Sequence, residues 1–256
     1  MSVNQNEKIM SNILEILKMM AESGAEIYRI EESASKMFQV FGAVNVDVFA
    51  ITSNITISVE MPDGSIKTHT RRIKNISSNI EKIHNLNSLV RNISEQKIEL
   101  TEIENEIKKI KATPQYSNII NILFYGIIAG AFYLFFGGRN LAEFSISLSI
   151  GFITGILSLL FEKIEFNKIL TKFICSFVSS FISVSLKRLN LLSEIDYIVI
   201  SNIMTLIPGI GLTNSLRDLF VGDSISGALR LLESAMLALA IACGYIVTTF
   251  IFGGAL

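Results

Sequence analysis

Charged residues thin out sharply near residue 118, and no soluble fold tolerates a half as apolar as the one beyond that point. Up to Asn118 the sequence carries 14 Lys/Arg and 15 Asp/Glu, whereas Ile119 to Leu256 carries only 8 of each. Between Lys111 and Arg139 lie 27 residues without a charge, and the last 23, from Ser234 to Leu256, have none either. A hydrocarbon layer about 30 Å thick is crossed by about 20 mostly apolar helical residues. The pattern therefore predicts an α-helical membrane protein in two parts. A cytoplasmic N-terminal α+β domain occupies residues 1–115, and a five-helix transmembrane domain occupies 116–256. Its helices are expected at about 119–138, 144–161, 170–189, 195–210 and 233–253. The hydrophobic fraction of 50% and mean hydropathy of +0.50 average over two unlike halves.

Several function classes lose support at once. A net charge of −1, with no arginine-rich tract, excludes a strongly basic nucleic-acid binder. No GxxxxGK[ST] stretch supports ATP-driven transport by this chain, and no cofactor is expected. His69 and His84 have no cysteine or acidic cluster at ligand spacing, so no metal site is expected. Cys175 and Cys243 sit inside apolar runs and read as small hydrophobes. Nothing resembles a nucleophile–base pair, so the chain does not read as an enzyme. The first 20 residues include Glu7 and Glu15 and lack the uninterrupted apolar core of a signal peptide. The soluble part is therefore expected to stay on the side where it is made.

Within that part, Ile9, Ile13, Ile16, Leu17 and Met20 have the spacing of an amphipathic helix over 7–21. A second helix over 25–41 carries Ile27, Ile30, Ala34, Met37, Phe38 and Phe41, and Gly42 ends it. The period then switches to two through Val44–Ala50, Ile55–Val59 and Ile66–Ile73, with Pro62-Asp63-Gly64 as a turn. This predicts a three-stranded antiparallel meander with one face buried under helices. Helical spacing returns from Ile80 to Ile93, and a charged helix from Ile98 to Ile110 comes after it. Glu22, Glu26, Glu31 and Glu32 with Arg29 read either as a ligand or partner surface or as a solvated helix face. Arg71, Arg72 and Lys74 read as an anion-attracting patch or as the charge that protects an edge strand.

In the membrane part, positive residues set the orientation. Lys108, Lys109, Lys111, Lys163, Lys168, Lys172, Arg217 and Arg230 fall on one side, against Arg139, Lys187 and Arg188 on the other. That places the N-terminus in the cytoplasm and the C-terminus outside. Small residues at helix-contact spacing (Gly126/Gly130, Ser147/Gly151/Gly155, Ala238/Ala242) predict a close-packed bundle and further subunits. The most informative stretch starts where Pro208, Gly209 and Gly211 break the fourth span, which also holds Asn202. Asn214, Arg217, Asp218, Asp223, Arg230 and Glu233 lie beyond the break. Interrupted spans are where transporters place binding sites, because freed backbone groups and helix ends meet a polar ligand there. On that reading Arg217 or Arg230 holds a carboxylate and Asp218 or Asp223 carries a proton. The plainer alternative is a cytoplasmic loop with Arg217 and Asp218 solvated and Arg230 paired with Glu233 one turn on.

Four stretches then carry a resemblance: Ser23-Gly-Ala-Glu-Ile-Tyr-Arg-Ile-Glu31, Phe41-Gly42 to Ile51, Pro114-Gln115-Tyr116 before the first span, and Pro208-Gly209 through Asn214, Arg217-Asp218, Gly222-Asp223 and Gly227 to Arg230. In order and together they resemble the threonine/serine exporter family, in its N-terminal-domain type, the YjjP-like subunit of a two-component exporter. Ile27 stands where the family usually has Thr after Gly-Ala-Glu. The resemblance implies an inner-membrane exporter of small polar metabolites: threonine and serine in single-chain members, a dicarboxylate such as succinate in two-component ones. It implies a separate small five-span partner subunit, an oligomer, and a cytoplasmic motif of Gly24, Glu26, Arg29 and Glu31. The expected function is a secondary export subunit driven by a proton or ion gradient. The alternative is a membrane-anchored regulatory or scaffold protein whose soluble domain binds a ligand or partner.

Overall fold

The computed structural model describes residues 3–74, 77–113 and 116–253, so the Pro114-Gln115 step lies outside the described residues. Among them the chain forms ten helices and one three-stranded sheet. In chain order these are α1 (Val3–Glu22), α2 (Ile27–Val40), β1 (Asn45–Ile51), β2 (Asn54–Glu60), β3 (Ile66–Arg72), α3 (Ile80–Ser94), α4 (Leu100–Lys111), α5 (Asn118–Phe135), α6 (Leu141–Lys163), α7 (Lys168–Arg188), α8 (Ile195–Met204), α9 (Gly209–Val221) and α10 (Ser224–Ile251). They fall into two compact units. One combines Met1–Pro114 with Ile210–Leu231, and the other combines Gln115–Gly209 with Leu232–Leu256.

The first unit is an antiparallel meander, β1-β2-β3, with helices over one face. Period-2 burial is cleanest in the central strand, where Ile55, Ile57 and Val59 are buried and the residues between them are half-exposed. Those three residues join Ile13, Leu17, Met20, Ile30, Met37, Leu86 and Ile107 in one core. The β2–β3 turn is held by Asp63, whose carboxylate accepts the Ser65 amide at 3.0 Å. Arg71 and Arg72 lie on β3, an edge strand, where charge discourages pairing with another chain.

In the second unit, side-chain size decides how closely helices approach. A Cβ on Gly151 would lie 2.8 Å from the Tyr125 carbonyl oxygen and 2.9 Å from the Gly126 Cα. The α5–α6 contact is therefore backbone against backbone at Gly151, whereas Gly126, Gly130 and Gly155 make room for the Phe152, Phe144 and Tyr125 side chains. The Ala238/Ala242 stripe needs correcting. Ala242 is exposed, and α10 instead meets α7 through Gly244, where an added Cβ would come within 2.5 Å of the Phe173 carbonyl. Ser176 donates to the Ile241 carbonyl at 2.7 Å beside it. Alanine spacing alone does not distinguish the faces of a helix that is rich in small residues all round. Cys175 is buried and Cys243 half-buried, both as free thiols.

Four helices are long and apolar enough to cross a membrane: α5, α6, α7 and α10. The pair α8 and α9 makes a fifth when counted as one span broken at a sharp bend. Two helix limits differ from expectation. The fourth helix stops at Met204 rather than near 210, because Pro208 supplies no amide donor and the turns before it close on themselves. The last helix begins at Ser224 rather than 233, because the charge that marks a loop in the sequence, Arg230, is buried and paired with Asp218 of α9. Replacing Gly151 with valine is expected to destabilise the bundle by about 1–3 kcal/mol, since backbone atoms cannot yield as a side chain can. A thermal-melting series of the detergent-solubilised protein, with Gly209→Val as a control in open space, checks this.

Candidate functional site

Two distant stretches of sequence meet in the first unit. The first is the α1–α2 turn. The Gly24 amide bonds the Ala21 carbonyl at 3.1 Å and the Ala25 amide bonds the Met20 carbonyl at 3.0 Å, with Gly24 at φ +87°. That left-handed residue after a helix end is where glycine is strain-free. The same arrangement ends α9, with Gly222 at φ +109° and the Asp223 amide on the Asp218 carbonyl at 2.9 Å. It reverses the chain so that α9 and the start of α10 lie side by side. A Cβ on Gly227 would stand 2.9 Å from the Ser215 carbonyl, so only glycine permits this approach.

The α9–α10 hairpin grips the α1–α2 turn. Asn214 donates to the Gly24 carbonyl at 3.3 Å, and Arg230 donates to the Ala25 carbonyl at 3.1 Å. Ser226 donates to the Ala50 carbonyl of β1 at 3.0 Å. Arg217 donates to Glu26 Oε1 at 3.0 Å and to the Tyr28 hydroxyl at 2.6 Å, with its guanidinium 4.7 Å from the Tyr28 ring centre. Arg29 holds the other Glu26 oxygen at 3.0 Å. Glu26 stands at the N-cap of α2 but makes no capping bond, so its carboxylate is held between two arginines.

Beneath these contacts lies a buried ion pair. Arg230 Nη1 is 3.3 Å from Asp218 Oδ2, with side-chain exposures of 9% and 0%. Asp218 also faces the Ile27 amide in the first turn of α2, where the helix dipole favours an anion. By strict geometry neither Asp218 oxygen accepts a hydrogen bond from the described residues. Proximity of charge therefore balances this carboxylate, not a set of fixed donors. Asp223 has one buried oxygen without a hydrogen-bond partner among the described residues. Burial, with the negative charge of Asp223 adding to it, pushes the Glu31 carboxyl up to about 7. Three carboxylates, Glu31, Asp218 and Asp223, thus accompany one buried guanidinium.

Magnitudes rank the contacts. Arg217 is 49% exposed, so its pair with Glu26 contributes about 0–1 kcal/mol. Breaking a buried pair such as Asp218–Arg230 costs about 3–5 kcal/mol, because it strands a charge away from water. The buried pair therefore holds the hairpin, and Arg217 adjusts it.

In the second unit the polar residues form a seam. Asn202 is fully buried on α8 and donates to Ser147 Oγ at 3.1 Å and to the Ile198 carbonyl at 2.9 Å. Ser147 Oγ lies 2.8 Å from Ser201 Oγ, joining α6 to α8. The Asn202 side-chain oxygen, Oδ1, has no hydrogen-bond partner among the described residues. At the start of α8, Glu143 accepts the Ser193 amide at 2.6 Å and the Tyr133 hydroxyl at 2.9 Å. A cleft of about 380 Å³ opens beside the end of α8, lined by Asn121, Tyr125, Ser158, Glu162 and Thr205.

Of the residues singled out in the sequence, Gly24, Glu26, Arg29, Glu31, Asn214, Arg217, Asp218, Asp223 and Arg230 come together in the first unit. Asn202 belongs to the separate seam, Pro208 and Gly209 to the break, and Glu233 is exposed on α10. The plain-loop alternative is overturned in two respects. Arg230 pairs with Asp218 rather than Glu233, and Asp218 is buried rather than solvated. Sequence reasoning misses Tyr28, Ser226, Glu143 and Ser201. Tyr28 lies inside the 23–31 stretch without a charge to draw notice, and Glu143 reads in sequence as an ordinary first-turn acid.

A family model described as "Putative threonine/serine exporter" matches residues 12–252. The chain is similar to "Probable succinate transporter subunit YjjP" of Klebsiella aerogenes, 24% identical over 236 residues, 91% of this chain and 89% of the relative. It is equally similar to the protein of the same description from Escherichia coli K12, at 24% over 236 residues, 91% and 90%. No solved structure matches.

Asp218→Ala and Arg230→Ala are each expected to cost about 3–5 kcal/mol. The pair replaced together by leucine and methionine should cost markedly less than the sum, measured by chemical unfolding in detergent. Glu31 gives a pH signature. Its folded value near 7 exceeds its ordinary 4.5, so the folded chain holds that proton longer than the unfolded one. Its contribution is nil below 4.5, grows unfavourable as the pH rises from there, and levels off above about 7. Glu31→Gln should flatten that fall in melting temperature; a curve identical to the parent's refutes the assignment.

Proposed function

The chain belongs to the threonine/serine exporter family, and from that premise we propose that it exports a small polar metabolite through the clasp formed by the α1–α2 turn and the α9–α10 hairpin. It is a multi-pass subunit of a membrane exporter. In our reading residues 1–115 form a domain in the cytoplasm of a bacterial cell, the 210–231 hairpin belongs with it, and the remaining helices of 116–256 lie in the inner membrane. Eight positive residues against three favour that orientation. A separate small five-span subunit completes the pathway, and the solute is threonine, serine or a dicarboxylate such as succinate. The word "subunit" in the relatives' descriptions supports a partner, and the few spans here support the same arrangement.

The observation that carries this reading is the buried Asp218–Arg230 pair just beyond an interrupted helix. Secondary export needs a group whose charge state changes the conformational balance. A proton placed on Asp218 cancels its charge and leaves the Arg230 guanidinium buried without a counter-ion. Protonation and release of the hairpin are thereby coupled by about 3–5 kcal/mol, enough to move a population more than 100-fold. Glu31 and Asp223 beside it provide the place from which the proton arrives. Arg217, exposed and paired with Glu26 and Tyr28, is the group free to exchange partners with a solute carboxylate. Asn202 and the serines around it, with the break at Pro208-Gly209, would let the bundle part.

Cells lacking the gene are expected to retain more threonine, serine or succinate, and unchanged efflux of all three would sink the export reading. Asp218→Asn, which keeps size and removes the charge, should lower efflux at least about tenfold when flux is normalised to the folded protein in the membrane. Arg217→Ala should weaken transport while costing less than about 1 kcal/mol of stability.

A further inference from the structure

A second cavity, outside the clasp, opens between α2 and α3 with a volume of about 460 Å³. Its walls are two facing helical stripes, residues 28, 29, 32, 33 and 36 on α2 and 87, 90, 91 and 94 on α3, with the C-cap residue Glu95 beside them. Both have the spacing that lines one face of a helix. Ser33 and Val90 are buried. Above them the walls carry charges of both signs. Most are already matched: Lys36 pairs with Glu32 at 2.6 Å, Glu95 pairs with Lys97, and Arg29 is held by Glu26. Arg91 differs. Among the described residues it has no carboxylate within 4 Å, and its one side-chain hydrogen bond is a long contact to Ser88 at 3.5 Å.

We propose that the α2–α3 cleft binds a small solute bearing a carboxylate, held by Arg91 and oriented by Asn87 and the Tyr28 hydroxyl, and that occupancy is read by the clasp through Tyr28. Arg91 senses Glu95 only at longer range, and a forked guanidinium with no carboxylate in contact among the described residues can seat one by two parallel hydrogen bonds. The volume lies in the range of small-molecule sites, and the neighbouring hydroxyls and amide fit a compact polar solute rather than an apolar one. Tyr28 is the link. It lines the cleft, and on its other side its hydroxyl accepts from Arg217 at 2.6 Å while its ring lies under that guanidinium. Arg29, another wall residue, also reaches the Tyr28 hydroxyl, at 3.4 Å. A carboxylate seated on Arg91 accepts a hydrogen bond from the Tyr28 hydroxyl, and reaching it moves that hydroxyl toward the cleft and lengthens its contact with Arg217. Filling the cleft therefore loosens the outer contacts of the clasp and leaves the buried Asp218–Arg230 pair in place. The effect on transport rests on the export reading above, whereas the binding does not.

The test uses the full chain, purified in detergent without partner or gradient, so that binding and transport fail independently. Calorimetry is run with L-threonine, L-serine and succinate, and with n-butylamine as a probe that has charge but no carboxylate. The expected result is millimolar or tighter binding of at least one carboxylate probe and none of the amine. Arg91→Ala should weaken it at least tenfold, Arg91→Lys should restore part of it, and Asn87→Leu, which fills the cavity without changing a charge, should abolish it. Hydrogen exchange over residues 212–220 should quicken on binding. No heat from any carboxylate, equal binding of n-butylamine, or an Arg91→Ala protein that binds normally overturns the site; unchanged exchange at 212–220 overturns its link to the clasp.

Discussion

A guanidinium taken out of water must keep an anion and hydrogen-bond acceptors within reach, and in this chain Arg230 finds them on two segments far apart in sequence. Asp218 supplies the charge and the Ala25 carbonyl supplies the acceptor. Their demands fix where the α9–α10 hairpin sits against the α1–α2 turn, and every other contact of the clasp depends on that placement. Asn214 on Gly24 and Ser226 on Ala50 are neutral bonds worth about 1 kcal/mol each. Arg217 is half-exposed and its contacts exchange at little cost. The result is a firm centre with an adjustable rim, which suits a part that must hold two states apart and still pass between them.

The bundle in the second unit obeys a different logic. Its core clusters are small, and close approach of backbones at Gly126, Gly151 and Gly244 does much of the packing. Many apolar side chains, such as Phe124, Leu134 and Leu239, point outward, as they must where the surroundings are themselves apolar. Serines and Asn202 link the helices within. Partly satisfied polar groups of this kind are stable only when enclosed, and they mark the places where helices can separate at modest cost.

Much of this is legible in the residues. The meander, the helices of the soluble part and the close α5–α6 contact all come from periodicity and glycine spacing, which are local properties. The candidate site is legible as a set of residues and illegible as a site. Nothing in a one-dimensional pattern says that Glu26 and Arg217 touch, so each reads equally well as a solvated charge. The errors share that origin. Glu233 suggests itself as the partner of Arg230 because it is three residues on, and the last helix reads as starting late because an unpaired arginine has no place in an apolar span. Tyr28 escapes a sequence reading because its role lies in what reaches it from another part of the chain.

Composition and spacing by themselves determined that the second half favours lipid, that the first half folds in water around a small sheet, and where proline and glycine interrupt the helices. Those outcomes depend on solvent preference and backbone conformation, which each short stretch carries with it. Only the tertiary structure decided that the 23–31 and 208–230 stretches form one clasp, that Asp218 is buried with Arg230, and that a cleft lined by Arg91 adjoins it. Charge pairing and burial are set by distances across the fold, and those distances exist only once the chain has closed on itself.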